Sequence, residues 1–301
     1  MKAMHKLVVV GVGLIGGSLA LALRAAHAGV DIVGIGRSRT NLDEALARNI
    51  VDRAYALDDT AWHAELRDAD VVLLAAPVAQ FPTLFAAVAP HLGADTVVSD
   101  AGSSKQDVIA AARAALAGGF TQFVPAHPIA GSERSGASAA EASLYRGHSV
   151  IVTPVAETSP QAVARIEAMW RAAGAVVTRL DAGAHDRIFA AVSHLPHVLA
   201  HTLVAELAAR HDSATLLAHA GPGFRDFTRI AASSPEMWRD IALSNRDALL
   251  AELNAYTEAL ARVAQSIANG DGAALEAMFR RSRDARTGWQ ASVPAHAPER
   301  E

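Results

Sequence analysis

A histidine, a serine and a glutamate fall within seven residues at His127-Pro128-Ile129-Ala130-Gly131-Ser132-Glu133, just after the apolar pair Phe123-Val124. Pro128 and Gly131 argue against a regular element, so these polar groups are expected on a loop whose backbone can approach a ligand. A neutral imidazole there could take a proton near pH 7; the plainer alternative is a turn capped by Ser132 or Glu133. A second polar stretch is Asp100-Ala101-Gly102-Ser103-Ser104-Lys105, in which either serine could orient a ligand or cap a helix starting near Lys105. A third is Ser193-His194-Leu195-Pro196-His197, followed by His201. His194, His197 and His201 share one helix face, and Pro196 is expected to kink that helix and free a carbonyl. Three histidines on a face raise the question of a metal. No carboxylate sits at ligand spacing and H-E-x-x-H is absent, so no metal is expected. The fourth stretch, Gly221-Pro222-Gly223-Phe224-Arg225-Asp226-Phe227-Thr228-Arg229, precedes Trp238. A guanidinium fork suits a carboxylate; Arg225 could simply pair with Asp226, which leaves Arg229 as the better anion ligand.

These groups need elements to position them, and the N-terminal half supplies a recognisable set. The β-branched run Lys6–Val10 leads into Gly11-Val12-Gly13-Leu14-Ile15-Gly16 and a helical pattern. This is G-x-G-x-x-G closing a strand and opening a helix, the dinucleotide-binding arrangement. Gly11 permits the tight turn, Gly13 a close approach to pyrophosphate, and Gly16 close helix–strand packing, with N–H donors at the helix start. Leu14, Ile15 and, after the apolar run Val71–Ala75, Pro77 complete the expected cofactor wall. The next strand, Asp31–Ile35, is followed by Gly36-Arg37-Ser38-Arg39 where NAD enzymes commonly place an acidic residue for the ribose. Arg37, Ser38 and Arg39 suit a 2′-phosphate, so NADP is expected to be preferred and NAD tolerated; the alternative is a pair of ordinary solvated arginines. With further strands at Ala54–Leu57, Thr96–Ser99, Phe123-Val124, His148–Thr153 and Ala175–Arg179, the pattern predicts one sheet of about eight strands. The fold class is therefore α/β, a Rossmann-type doubly wound, mostly parallel sheet followed by an all-helical C-terminal domain. The expected boundaries are 1–181 for dinucleotide binding, 182–289 for substrate binding and dimerisation, and 290–301 for a flexible tail.

The chain has 301 residues, 51% hydrophobic and 19% charged, with a net charge of −4. That balance gives no basic footprint for nucleic acid. No uninterrupted apolar run approaches the roughly 18 residues of a membrane span, and the N-terminus has no signal-peptide pattern. The absence of cysteine excludes disulfides and thiolate chemistry and fits a cytoplasmic location.

Taken together, Gly11-x-Gly13-Leu-Ile-Gly16-Gly17-Ser18, Asp100-x-Gly102-Ser103-x-Lys105, His127-Pro-Ile-Ala-Gly-Ser-Glu133, Ser193-His-Leu-Pro-His197 and Asp226-Phe-Thr-Arg229 with Trp238 resemble the prephenate/arogenate (cyclohexadienyl) dehydrogenase family of tyrosine biosynthesis. The resemblance implies oxidative decarboxylation of prephenate to 4-hydroxyphenylpyruvate, or of arogenate to tyrosine, with hydride transfer to NAD(P). It implies that His127 is the base for the ring hydroxyl and that Ser103 orients it. Arg229 grips the ring carboxylate, and His197, Ser193 and Trp238 line the pocket. Ser132 and Glu133, with His185 and Asp186, support the pocket from behind. A homodimer assembled through the helical half is implied as well. Two readings stay open beside it. A β-hydroxyacid dehydrogenase or imine reductase shares the plan but depends on a lysine or aspartate in the helical half, and no lysine follows Lys105. A non-catalytic cofactor-sensing regulator would not need Ser103, His127, His197 and Arg229 together.

Overall fold

The computed structural model describes residues 4–26, 29–132 and 134–292; Glu133 and the last nine residues of the expected tail lie outside them. Strands β1 (Lys6–Val10), β2 (Asp31–Gly36), β3 (Arg53–Ala56), β4 (Val71–Leu74), β5 (Val97–Asp100) and β6 (Phe123–Val124) form a six-stranded parallel sheet. Its order is β3-β2-β1-β4-β5-β6. The order reverses between β1 and β4, the crevice where such sheets bind ligands. Helices α1 (Leu14–Ala26), α2 (Arg39–Ala47), α3 (Phe81–Val88), α4 (Gln106–Leu116) and α5 (Pro160–Ala172) cover it. Alternation along β1 sends Leu7 and Val9 into one apolar layer and Val8 and Val10 into the other. A strand buried on both faces must be apolar at every position.

The expected single sheet is two. β7 (Ala126–Pro128), β8 (Ser149–Val152) and β9 (Val176–Arg179) form a separate three-stranded sheet, with β7 antiparallel to β8 and β8 parallel to β9. Pro125 separates β6 from β7, and the Ala126 N–H bonds to the Asp100 carboxylate instead of to another strand. His127 and Pro128 therefore lie on a strand, not on the expected loop. β7 is at the sheet edge, where a proline's missing N–H costs no ladder bond.

From Ala182 the chain is helical: α6 (Ala182–Phe189), α7 (Leu195–Ala208), α8 (Ser213–Ala218), α9 (Pro222–Thr228), α10 (Pro235–Ser244), α11 (Arg246–Ala268) and α12 (Gly272–Ser292). Between α6 and α7, residues Ala190–His194 form a π turn in which the Leu195 N–H reaches Ala190 O. The irregularity expected at Pro196 thus falls just before it, as an extra residue in the helical ladder. The continuous run Ala182–Ala208, with a mean hydropathy of 1.4, is long and apolar enough by those measures to cross a membrane. Yet its His185, Asp186 and His194 are buried and hydrogen-bonded within the folded core. Two compact units divide at Arg246/Asp247. The first contains every residue of the site described next.

Candidate active site

Three glycines shape the cofactor crevice. Gly11 has φ +101°, and a Cβ there would lie 2.4 Å from the Ala75 carbonyl oxygen. At Gly16 it would lie 2.3 Å from Gly11 O and 2.7 Å from a Val9 methyl, so only hydrogen fits. At Gly13 it would meet nothing within 4 Å, which leaves open the approach that a pyrophosphate needs at the start of α1. Leu14 and Ile15 follow, half-buried, and the Ile15 carbonyl accepts from the Tyr145 hydroxyl at 2.6 Å. Pro77 is exposed just after β4, beside the Ala75 backbone that crowds Gly11. Asn41, which carries no motif signature, holds this corner: its Nδ2 donates to Val12 O at 2.7 Å and its Oδ1 accepts from Ala137 N. Arg37, Ser38 and Arg39 are exposed at the end of β2. Ser38 is also the N-cap of α2, accepting from Asn41 N at 3.3 Å, and Arg39 is that helix's first residue. These groups fit a dinucleotide.

At the end of β5, Asp100 and Lys105 form a fully buried ion pair. Asp100 also accepts from Gly102 N at 2.7 Å and Ala126 N at 3.1 Å, while Lys105 Nζ donates to Ala126 O at 2.7 Å. The pair therefore grips the backbone next to His127. Burial pushes the Asp100 carboxyl up and the Lys105 ammonium down, each opposed by its partner. Neither Ser103 nor Ser104 caps α4. Asp186 does so from α6, its carboxylate accepting from Lys105 N and Gln106 N, both at 2.8 Å. That frees half-buried Ser103 for a ligand, while Ser104 bonds to Ser244 at 2.7 Å.

His127 is half-buried, with Nδ1 2.9 Å from His185 Nε2, and His185 Nδ1 is 2.8 Å from Asp186 Oδ1. Loss of water holds the His127 imidazole well below 6.5, and positive charge on His185, Lys105 or His194 would depress it further. It is neutral at pH 7. Asn245 donates through Nδ2 to Asp186 O at 2.8 Å and to His194 Nδ1 at 3.0 Å. His194 is therefore the Nε2–H tautomer, and burial holds its pKa at about 4.

His197 donates from Nδ1 to Ser193 O at 2.9 Å and stacks on Trp238 with ring centroids 3.6 Å apart. Both His197 and Ser193 are half-buried. Desolvation lowers the His197 pKa, and the nearby charge of Arg229 adds to the shift. Arg229 is exposed and, like Arg225, forms no ion pair among the described residues, so the alternative of a simple Arg225–Asp226 pair is not seen there. His194 Nε2, His201 Nε2 and Trp238 Nε1 are buried without a hydrogen-bond partner. Ser132 is exposed, accepting from Arg134 N at 3.2 Å, and makes no hydrogen bond to His127 among the described residues. No group of three or more metal-ligating side chains gathers among the described residues.

A doubly wound nucleotide-binding half with a half-buried neutral imidazole, followed by helices that present a stacked aromatic and an arginine without an ion pair among the described residues, is the arrangement of a nicotinamide-dependent dehydrogenase. The family description "Prephenate dehydrogenase, nucleotide-binding domain" matches residues 19–179, and "Prephenate dehydrogenase, dimerization domain" matches 181–281. The chain belongs to the prephenate dehydrogenase family. It is 36% identical to a cyclohexadienyl dehydrogenase of Zymomonas mobilis, over 95% of this chain and 96% of that one. It is 34% identical to a prephenate dehydrogenase of Bacillus subtilis, over 94% and 75% respectively. Among solved structures, the Aquifex aeolicus prephenate dehydrogenase in complex with hydroxyphenyl propionate and NAD+ superposes with a TM-score of 0.89 at 31% identity, covering 95% of this chain and 99% of that one. These likenesses favour neither the hydroxyacid-dehydrogenase reading nor the regulator.

Proposed function

We propose that the protein oxidatively decarboxylates prephenate or arogenate, with His127 as the base for the ring hydroxyl and NADP preferred to NAD. The observation that carries this reading is a neutral, half-buried imidazole bonded through Nδ1, which leaves Nε2 to accept a proton. Ser103, uncommitted at the carboxyl end of β5, orients the hydroxyl. Arg229, unpaired and close to His197, holds the ring carboxylate; an exposed guanidinium can close on a ligand at little desolvation cost. The Trp238–His197 stack forms the pocket wall, with the Ser193 carbonyl fixing the His197 ring. The buried N–H groups of Trp238 and His194 suit ligand oxygens. The bound nicotinamide supplies the hydride acceptor. Aromatisation drives loss of CO2, so the chain need only place the ring, take the proton and fix the carboxylate.

Steady-state kinetics with prephenate and arogenate, each with NADP and NAD, test the proposal. Gly36 neither bonds a ribose hydroxyl nor repels a phosphate, and exposed Arg37 and Arg39 beside it form no ion pair among the described residues. Charge-assisted contacts at an exposed, screened site are worth about 1.4–2.7 kcal/mol, so kcat/KM is expected to favour NADP by about 10–100-fold at low ionic strength. Gly36→Asp with Arg37→Ala should reverse the order; Leu42 Cδ2, 3.2 Å from the new Cβ, need shift only slightly. A wild-type preference for NAD would refute the cofactor assignment.

The active form is a homodimer built through the helical half. Ile188, Val192, Phe227 and Leu243 of the first unit, and separately Leu260, Phe279 and Trp289 of the second, are exposed apolar side chains. Exposed apolar side chains that gather into one patch mark an interaction surface. Light scattering at micromolar concentration should give twice the 31.4 kDa chain mass, and a monomeric mass would contradict it.

A further inference from the structure

We infer that His185 and Asp186 are positioning residues which fix the tautomer of His127 and stabilise the charge it acquires, a role that rests on His127 being the base. The argument begins with the carboxylate. Asp186 accepts from two backbone N–H groups and from His185, and these bonds hold its pKa below the usual value although burial opposes them. An ionised carboxylate only accepts. His185 Nδ1 therefore carries a hydrogen, and neutral His185 offers a lone pair at Nε2. The atom facing that lone pair at 2.9 Å is His127 Nδ1, which must donate. Neutral His127 is then left with its lone pair on Nε2. Both rings are held in the Nδ1–H form, the one that free imidazole side chains disfavour.

The same chain answers an energetic difficulty. A base stripped of water and facing Lys105 and His194 binds a proton poorly. When the substrate hydroxyl gives its proton to His127 Nε2, the new imidazolium donates more strongly from Nδ1 to His185 Nε2. His185 in turn polarises towards Asp186, so the added positive charge is balanced by one buried negative charge without a second proton leaving the chain. The groups facing the two rings are Asp186 on α6, Asp100 at the end of β5, Lys105 just beyond it, and His194 on the π turn. Phe189, in ring contact with both, excludes water.

The test uses the full-length enzyme labelled with 15N-histidine. At pH 7 the His127 and His185 signals, assigned by their loss in His127→Gln and His185→Gln, should both report a protonated Nδ1 and a bare Nε2. His185→Leu and Asp186→Asn should lower kcat by on the order of 10²-fold and move the acid limb of kcat/KM to lower pH. His185→Gln, whose Oε1 still accepts from His127 Nδ1, should recover part of the loss. A bare Nδ1 on His127 would overturn the inference, as would equal losses in His185→Leu and His185→Gln with an unmoved pH profile. Asp186 also caps α4, so if Asp186→Asn fails to fold the wild-type spectrum still decides. Should His127→Ala retain turnover, the base assignment fails, while the spectrum judges the bonding chain by itself.

Discussion

His127→Ala is expected to lower kcat by about 10²–10⁴-fold, the effect of losing a positioned base, and to leave cofactor binding intact. The crevice built by Gly11, Gly13 and Gly16 takes nothing from that side chain, so the loss belongs in turnover and not in the dissociation constant measured by nucleotide fluorescence. The wild-type pH dependence should carry the same signature. Burial, with the Lys105 charge nearby, holds the imidazole well below 6.5. Activity should therefore stay level as pH falls through 6.5 and drop only at more acidic values, where Nε2 becomes protonated. Arg229→Lys provides the contrast, raising KM more than it lowers kcat, because an ammonium cannot reproduce a two-point contact with a carboxylate. A His127→Ala enzyme with normal turnover would remove the histidine from the chemistry.

Lys105→Met should cost about 3–5 kcal/mol of folding stability in urea denaturation, the scale for stranding one half of a buried ion pair. Asp100 keeps its bonds from Gly102 and Ala126 but loses the charge that justifies its ionisation, and the Ala126 carbonyl loses its donor. The paired change Lys105→Met with Asp100→Leu should recover most of that stability, since removing both charges abolishes the desolvation penalty along with the attraction. Recovery of stability need not restore turnover, because the backbone beside His127 would still lack its two anchors. A single variant within about 1 kcal/mol of wild type would show that the pair is not stabilising β7.

The parts legible in the sequence are those set by local rules. Gly11 and Gly16 declare themselves because a turn and a close contact admit no Cβ there, and the apolar runs of β1, β4 and β5 follow from burial on two faces. The strand status of His127 was hidden by Pro128, which signals a break unless the strand is known to be an edge. The division into two sheets was hidden for a similar reason: short apolar runs carry no record of which neighbour they pair with. The capping role of Asp186 is the clearest omission. Its carboxylate caps a helix that begins 80 residues earlier in the chain, and spacing cannot reveal a cap donated from so far away. Asn41 and Asn245 escaped notice likewise, since an asparagine joining two backbones has no periodic signature.

The π turn at Ala190–His194 has a consequence for how such a site can diversify. One residue added to a helix advances everything after it by about 100° and 1.5 Å. His185 and Asp186 precede the turn and His197 follows it, so the turn acts as a phase offset between two stretches of a single rod. The front stretch keeps the angular setting that reaches α4 and β7, while the rear stretch is dialled independently towards Trp238. A lineage could alter what the rear stretch faces by moving or deleting that one surplus residue, with the proton chemistry upstream left in register.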